Sequence, residues 1–429
     1  MKYLRLNSKK GLLYSDNTER SSIIIGGTLA NIRKFIDKEI FTGQDLQTLS
    51  KEELIIMQYL LDNGIAVYNE DDSITFKNYV VADENIDVQE IPTVLYLLIT
   101  NLCNFKCKHC CWEDHYKKEE ELNLEQLKSL VDDMVSLGIF RLSISGGEPT
   151  TRYNELIELI KYAQSKGITS ICIATNGHLL NEEKLQELVD AGLTEVQFSI
   201  DHFDKEIHNA GRKEGNLEKI EELTKLINQK FCNKLNISAG LTLTNKNKSD
   251  ILSIIDYTIS IGIKKMKVVR FSGITELSKE EKYEITDKEE IKKICCDLVL
   301  KAKECLKNGV VVKLSSMISA NAEICGVKHG FKRGRNCEAL RQRICVKSDG
   351  NVSPCPMLSS HDIYVGNVKQ SSLLEVFLSK EAKAFKTIYK DNEKCQNCKH
   401  YSVCGGGCLQ SSITKNKTMT GVDDWCIVE

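Results

Sequence analysis

Strands and helices alternate along the middle of this 429-residue chain, from residue 94 to residue 271. Apolar runs predict six strands, at residues 94–99, 140–145, 170–174, 195–200, 236–242 and 266–271. Amphipathic stretches between them predict helices, among them 124–137, 153–165, 182–191 and 217–229. Repeated units of this kind predict a parallel sheet, open or closed into a partial barrel. In such folds the active site lies at the carboxyl ends of the strands.

Three cysteines, Cys103, Cys107 and Cys110, follow the first predicted strand with the spacing C-x3-C-x2-C. Three thiolates can hold three irons of a cubane cluster, which leaves the fourth iron open to bind a small molecule. Zinc ligands usually come as two separated pairs of cysteines, so a zinc site fits this spacing poorly. The motif therefore predicts a catalytic iron–sulfur site, and the adjoining Cys111 is expected to pack beside it without binding iron.

The cysteine content also constrains the rest of the chain. Of the 18 cysteines, none precedes Cys103 and nine lie between Cys325 and Cys426. The N-terminus lacks the apolar core of a signal peptide, so we expect a cytoplasmic protein whose reduced thiols bind metal. The formal net charge of -2 gives no general attraction to nucleic acid. No stretch approaches the roughly 20 apolar residues of a membrane span.

A second motif, Gly146-Gly147-Glu148, ends the second predicted strand. Two adjacent glycines let the backbone approach a ligand closely, and exposed amide and carbonyl groups there can bind an amino group or a carboxylate. A Gly-Gly turn is common by itself. Here, however, it is expected at the same edge of the sheet as the cysteine loop.

Together the two motifs resemble the radical S-adenosylmethionine (SAM) superfamily. The resemblance implies that the open iron chelates SAM and that an electron from the cluster cleaves it. The resulting 5′-deoxyadenosyl radical would abstract hydrogen from an unactivated carbon. Gly146, Gly147 and Glu148 would hold the methionyl amino group. Further SAM contacts are implied at the ends of the third and fourth strands and at one arginine beyond them, although ordinary loop polarity is the alternative: Thr175, Asn176, Ser199, Asp201 and Arg212.

The cysteines after residue 336 resemble the seven-cysteine SPASM extension of peptide-modifying radical SAM enzymes, which holds two auxiliary [4Fe-4S] clusters. With the SAM cluster, the resemblance implies three clusters. The first auxiliary cluster would be bound by Cys337, Cys345, Cys355 and Cys408. The second would be bound by Cys395, Cys398, Cys404 and Cys426. Cys325 in place of Cys345, or an open iron that binds a substrate thiol, are alternatives for the first cluster.

Residues 1–85 contain no cysteine and predict a small winged-helix-like module. Three strands (3–6, 12–15 and 22–25) precede three helices (29–36, 44–49 and 51–63) and a hairpin (65–68 with 73–76). Ser50 and Glu53 form a capping box for the third helix. Acidic residues outnumber basic ones, which argues against DNA binding. The arrangement resembles peptide-recognition modules in which a leader peptide adds a strand to the sheet edge, and a stabilising cap on the barrel is the alternative.

We therefore predict an α/β protein with three parts: the module at 1–85, a partial (β/α)6 radical SAM barrel at 86–309, and a SPASM domain at 310–429. The resemblance implies an oxidoreductase that forms thioether cross-links in a ribosomally made precursor peptide, from a cysteine sulfur to a carbon of another residue. An external reductant such as flavodoxin or ferredoxin is expected, with no nucleic-acid or membrane partner.

Other functions remain open from the sequence. Within the same enzyme class these are carbon–carbon cross-linking, epimerisation and decarboxylation of a peptide. Sulfatase maturation is disfavoured, because Pro356 rather than an aspartate follows Cys355. From other classes, a multi-cluster electron carrier and a DNA-binding iron–sulfur regulator are the alternatives.

Overall fold

A computed structural model describes residues 2–6, 9–15, 20–24, 26–81, 91–111, 120–271, 282–328, 337–388 and 392–428. Residues 82–90, between the N-terminal module and the barrel, lie outside the described residues. Within the described ranges the strands form a four-stranded sheet, a three-stranded sheet and a ten-stranded central sheet. No helix in these ranges is long and apolar enough to cross a membrane.

The N-terminal module has the predicted three strands, three helices and hairpin. Its strands are β1 (Lys2–Leu6), β2 (Gly11–Ser15), β3 (Arg20–Ile24), β4 (Ile40–Phe41), β5 (Ala66–Tyr68), β6 (Ile74–Phe76) and β7 (Tyr79–Val81). Its helices are α1 (Gly26–Lys38), α2 (Gly43–Thr48) and α3 (Lys51–Asp62). One sheet has the order β3-β2-β1-β7, with β7 parallel to β1. The Ser50–Glu53 capping box is present at the start of α3.

The central sheet consists largely of parallel strands that alternate with helices. Its first seven strands are β8 (Val94–Thr100), β9 (Arg141–Gly146), β10 (Ser170–Thr175), β11 (Glu195–Ser199), β12 (Asn236–Leu243), β13 (Lys265–Arg270) and β14 (Val311–Leu314). The associated helices are α4 (Leu124–Leu137), α5 (Tyr153–Ser165), α6 (Glu182–Ala191), α7 (Lys205–Gly211), α8 (Asn216–Lys230), α9 (Ile251–Ser260), α10 (Lys288–Lys307) and α11 (Ser316–Ile324). Neighbouring strands from β8 to β14 are all parallel, which confirms the predicted fold class.

Local sequence explains how these helices begin, end and pack. Asn123 and Gln126 form a capping box at the start of α4, and Gly138 ends the helix in the left-handed region at φ 76°. The buried face of α4 repeats at helical spacing and packs into the barrel core through Leu127, Leu130, Val131, Met134 and Leu137.

The C-terminal segment continues the central sheet. Strand β15 (Arg343–Val346) pairs in parallel with β8, and β16 (Asn351–Ser353) and β17 (Gly366–Asn367) follow in antiparallel order. Short helices complete it: α12 (Pro356–Ser359), α13 (Leu373–Leu378), α14 (Lys380–Phe385), α15 (Glu393–Gln396), α16 (Tyr401–Cys404) and α17 (Leu409–Asn416). The central sheet therefore extends beyond residue 309, where the sequence predicted the barrel to end, and connects the cysteine-rich segment directly to β8.

Candidate active site

The Gly-Gly motif at the end of β9 packs against the backbone of the cysteine loop. Gly147 N donates to Thr100 O at 2.7 Å, and Glu148 N donates to Leu102 O at 2.8 Å. A Cβ atom on Gly146 would lie 2.3 Å from Thr100 O, and one on Gly147 would lie 2.2 Å from Leu102 O. Gly146 also adopts a φ of 135°, which side chains disfavour. Glycine is thus required here for the two loops to meet.

The Glu148 carboxylate is buried and connects the ends of β9 and β10. It accepts hydrogen bonds from the Thr150 hydroxyl at 2.6 Å, the Thr175 hydroxyl at 2.7 Å and Asn176 N at 2.8 Å. Burial raises the pKa of this carboxyl, and the hydrogen bonds from Thr150, Asn176 and Thr175 oppose the rise. The Glu148 side chain therefore fixes the position of neighbouring backbone within the site.

Two residues that sequence reasoning missed hold the start of the cysteine loop. Glu121 accepts hydrogen bonds from the Thr100 hydroxyl and from Asn101 N, both at 2.8 Å. Arg152 donates to Ile99 O at 2.9 Å, and its guanidinium lies 3.4 Å from Glu121 Oε2. Neither residue belongs to a recognisable motif, because each acts through contacts between segments distant in sequence.

A largely buried ion pair, with side chains 10% and 16% exposed, lies beside the cysteine loop. Arg212 Nε donates to Asp201 Oδ2, and Arg212 Nη1 lies 3.8 Å from Cys107 Sγ. His109 Nε2, from the cysteine loop, lies 3.1 Å from the same Asp201 oxygen. Burial would raise the pKa of Asp201, but Arg212 and His109 outweigh it and hold this pKa well below its usual range. A charged Asp201 therefore holds Arg212 and His109 at the cysteine loop.

The network continues from Asp201 through His208 to the end of β10. Asp201 N donates to His208 Nδ1 at 3.3 Å, and His208 Nε2 lies 3.0 Å from Asn216 Oδ1. Asn216 Nδ2 donates to Asn176 O at 2.8 Å. Burial lowers the pKa of His208, which favours the neutral ring. A neutral ring with its proton on Nε2 satisfies both hydrogen bonds.

Two of the buried polar atoms that lack a hydrogen-bond partner lie at the cysteine loop. Among the described residues, Asn104 Nδ2 and Asp201 Oδ1 are buried with no hydrogen-bond partner. Buried polar groups are normally paired, so one donor and one acceptor are available near the cysteine loop. A molecule that carries both a carboxylate and an ammonium group offers the complementary atoms, which fits the methionyl end of SAM. Ser199 ends the adjacent strand β11 and is partly exposed.

The C-terminal cysteines form two groups. In each group, neighbouring thiols contribute to the raised pKa of a buried cysteine. Burial raises the pKa of Cys355 to about 12, with further contributions from Cys337 and Cys408. Burial also raises the pKa of Cys345, which is fully buried on β15, and Cys355 is the next contributor to that rise. Cys325 is exposed, and the thiol on whose pKa it acts is that of Cys296, which burial and then Cys325 raise. Cys345 also pairs across β15 and β16 with Ser353, two residues before Cys355, so the fold brings Cys345 close to a member of the first predicted group.

The second group contains the remaining predicted ligands. Burial raises the pKa of Cys395 to about 11. Smaller contributions to the same rise come from Cys404, Cys426 and Cys398. In the part of the chain that the structure describes, no three Cys, His, Asp or Glu side chains converge on the position of a single metal ion. A cubane cluster does not require such convergence, since each thiolate binds a different iron. The donor sets are all thiolate, as iron–sulfur clusters require.

Family sequence models match the part of the chain with the cysteine loop and the part that carries Cys337 to Cys398. A model of the Radical SAM superfamily matches residues 97–258. A model of the SPASM iron–sulfur cluster-binding domain matches residues 337–399. The chain is a radical SAM protein with a SPASM domain. This finding confirms the family that the sequence motifs resembled.

Curated relatives of this radical SAM protein have more than one function. It is 23% identical over 343 residues to the mycofactocin maturase MftC of Mycolicibacterium smegmatis, with 79% of this chain and 83% of the relative covered. It is 25% identical over 333 residues to a cofactor-modifying protein for tungsten-containing aldehyde ferredoxin oxidoreductase of Pyrococcus furiosus, with 72% and 88% covered. The relatives therefore leave the substrate of this chain open.

A solved structure shares the whole architecture. Streptococcus suis SuiB superposes with a TM-score of 0.70 at 17% identity, over 100% of this chain and 98% of SuiB. SuiB has also been solved with S-adenosylmethionine and with its precursor peptide SuiA. At this identity the likeness shows the fold alone, and that fold includes the N-terminal module of the radical SAM/SPASM chain.

Proposed function

We propose that this radical SAM/SPASM protein modifies a precursor peptide and that the product is a thioether between a cysteine sulfur and a carbon of another residue. The observation that carries the proposal is the combination of parts in one fold. The cysteine loop, which we assign as the SAM-type site, lies at the carboxyl end of β8, a cysteine-rich domain extends the same sheet at β15, and a small module precedes both. SuiB, which shares all three parts, is a protein solved with a precursor peptide.

At the SAM-type site, Cys103, Cys107 and Cys110 would hold the cluster. When bound, the cluster and SAM together supply a carbon radical that can remove hydrogen from an unactivated C–H bond. The chain contributes position and polarity. Asp201 and Asn104 present an unpartnered acceptor and donor, and Arg212 brings positive charge to Cys107. Further contacts with SAM are assigned to Gly146, Gly147, Glu148, Thr175, Asn176 and Ser199.

We assign two auxiliary [4Fe-4S] clusters to the C-terminal domain, for three in all. The first would be bound by Cys337, Cys345, Cys355 and Cys408, and the second by Cys395, Cys398, Cys404 and Cys426. This division is supported by the pKa of the buried thiols, because in each group the other cysteines contribute to its rise. Thioether formation removes one hydrogen from the thiol and one from the carbon. Bound SAM would supply the acceptor for one hydrogen atom, the remaining proton would pass to solvent, and the electron would go to the cluster that an auxiliary cysteine group would hold.

The N-terminal module would bind the leader part of the peptide. Strand β3 lies at the edge of its sheet, so the backbone there is available to pair with an added strand. Helix α3 exposes three apolar side chains, with Leu54 44%, Ile55 63% and Tyr59 39% exposed. Exposed apolar groups of this size are typical of binding surfaces. We further propose a cytoplasmic location and an external reductant such as flavodoxin or ferredoxin.

The test is modification of a cysteine-containing candidate peptide by anaerobically reconstituted protein with SAM and a reductant. We expect the peptide mass to fall by two hydrogens for each bridge and one cysteine per bridge to become resistant to alkylation. Epimerisation leaves the mass unchanged, decarboxylation removes carbon dioxide, and a carbon–carbon link leaves every cysteine alkylatable. Any of these outcomes would contradict the thioether assignment.

A second measurement tests the site itself. The protein with all three substitutions Cys103→Ala, Cys107→Ala and Cys110→Ala should release no 5′-deoxyadenosine from SAM. The wild-type protein should contain about twelve irons in three four-iron clusters. Formation of 5′-deoxyadenosine by the triple variant would refute the SAM-cluster assignment, and a wild-type count near four would refute the auxiliary clusters.

A further inference from the structure

One buried arginine joins the N-terminal module to the barrel. Arg5, on β1, is 0% exposed. Its guanidinium donates to Gly138 O at 2.7 Å, Ile91 O at 2.8 Å and Pro92 O at 2.6 Å. It also lies 5.5 Å from the centroid of the Phe140 ring. All four partners belong to segments that directly precede β8 or β9.

The Arg5 contact fixes the orientation of the N-terminal module on the barrel as well as attaching the module to it. Burying a guanidinium is costly, and burial lowers the pKa of Arg5 to about 9. Hydrogen bonds to three carbonyls offset that cost, and the carbonyl of Gly138 lies at the negative end of the α4 dipole. The planar guanidinium presents its donors in a rigid fork. Three carbonyls from two barrel segments can therefore meet it in one arrangement of module and barrel.

A second contact lies at the same end of the barrel. The Thr169 hydroxyl, just before β10, donates to Asn78 Oδ1, just before β7, at 2.9 Å. The module thus touches the segments that precede β8, β9 and β10, which are the amino-terminal ends of parallel strands. The Cys103 loop follows the carboxyl end of β8. Seven strand residues separate the two ends, a distance of about 20 Å at 3.3 Å per residue.

We infer that the N-terminal module is a peptide-binding platform fixed at the amino-terminal ends of the barrel strands, with Arg5 as its positioning residue. The peptide must then reach from the module to the opposite end of the barrel. The inference rests on the proposed function. An extended chain covers at most about 3.3–3.6 Å per residue. The precursor peptide therefore needs a spacer of at least about six residues between its module-bound segment and its first modified residue.

A spacer series tests the required reach. Peptides with one leader and one core would carry progressively shorter spacers, and fluorescence anisotropy would give the Kd of each for the reconstituted holoenzyme. Mass spectrometry would give the modification rate. We expect an unchanged Kd throughout and loss of product below about six spacer residues. Full-rate modification of a peptide without a spacer would overturn the inference. If the proposed function itself is wrong, even the longest peptide will remain unmodified.

Substitution of the arginine tests its positioning role. We expect Arg5→Met to keep the leader Kd and the peptide-independent cleavage of SAM, but to slow modification of the peptide with the shortest productive spacer by about tenfold. The slowing should be smaller for peptides with long spacers, a difference that mere destabilisation would not produce. Arg5→Lys should restore part of the rate. Wild-type rates for Arg5→Met on the shortest productive spacer would refute the role.

Two further variants complete the test. Lys34→Met is the matched control, because Lys34 is 61% exposed and pairs with Glu53 inside the module. It should modify every peptide at the wild-type rate. Phe140→Leu removes the ring beside the Arg5 guanidinium. It replaces Arg5→Met as the test variant if Arg5→Met fails to fold. It should slow short-spacer peptides selectively, and equal slowing at all spacer lengths would contradict the inference.

Discussion

Arg270 and Asp423 form a buried two-point ion pair between the end of β13 and the C-terminal cysteine-rich segment. Arg270 Nη1 donates to Asp423 Oδ1 at 2.6 Å, and Nη2 donates to Oδ2 at 2.9 Å. Asp423 Oδ2 also accepts from Cys408 N at 2.6 Å, and Asp423 O accepts from Cys426 N at 3.0 Å. This one aspartate therefore positions the backbone of a cysteine from each auxiliary group relative to the barrel.

Removal of Arg270 should destabilise the cysteine-rich segment. The two side chains are 7% and 2% exposed, so Arg270→Met would leave a carboxylate buried without its cation, at a cost of about 3–5 kcal/mol. We expect a lower melting temperature and fewer irons per chain. The control is Lys230→Met, whose ion pair with Glu182 is about half exposed on both sides and should contribute only about 0–1 kcal/mol. Wild-type iron content and melting temperature for Arg270→Met would contradict this role.

The two loops of the active site should not tolerate a side chain at Gly147. The added Cβ would meet the backbone of Leu102 at 2.2 Å, and overpacking of this kind costs about 1–3 kcal/mol. We expect Gly147→Ala to lower the melting temperature and to abolish SAM cleavage, measured as 5′-deoxyadenosine. Gly43→Ala is the control, because Gly43 opens helix α2 with nothing within 4 Å of the added atom. Normal SAM cleavage by Gly147→Ala would show that the loops can separate without loss of function.

The sequence predicted features that are encoded locally and missed those that depend on distant contacts. The barrel strands from β8 to β13 and the Ser50–Glu53 capping box follow from periodicity and spacing within a few residues. Strand β14 has only four residues, and β7 has three and pairs with β1 more than 70 residues earlier. Short strands with distant partners carry little local signal.

The same distinction holds in the site. The cysteine and glycine motifs are recognisable from spacing alone. Glu121 and Arg152, which hold the start of the cysteine loop, are isolated charged residues until the fold brings them to Thr100 and Ile99. The partners of Asp201 likewise become visible only in three dimensions, since His109 and Arg212 come from different segments.

The buried His208 should make stability depend on pH. Burial lowers its folded-state pKa below the usual value of about 6.5. Between those two values the unfolded chain binds more protons, so the contribution is complete above about pH 6.5 and is lost as pH falls toward the folded-state pKa. We expect His208→Gln to weaken this decline, because glutamine can accept from Asp201 N and donate to Asn216 without titrating. Thermal unfolding of both proteins from pH 5 to 8 is the measurement, and parallel curves would contradict the assignment.

The fourth ligand of the first auxiliary cluster can be decided by two substitutions. Cys345 is 0% exposed on β15 and pairs with Ser353, two residues before Cys355, whereas Cys325 is exposed and contributes to the raised pKa of Cys296. We expect Cys345→Ser to lower the iron content from about twelve to about eight per chain, since a four-iron cluster is lost. Cys325→Ser should leave it unchanged. Cys172→Ser controls for the burial of a hydroxyl, because Cys172 is a buried thiol on β10 outside both groups. Loss of iron from Cys325→Ser alone would make Cys325 the ligand, and full iron content in both variants would indicate a cluster with an open iron.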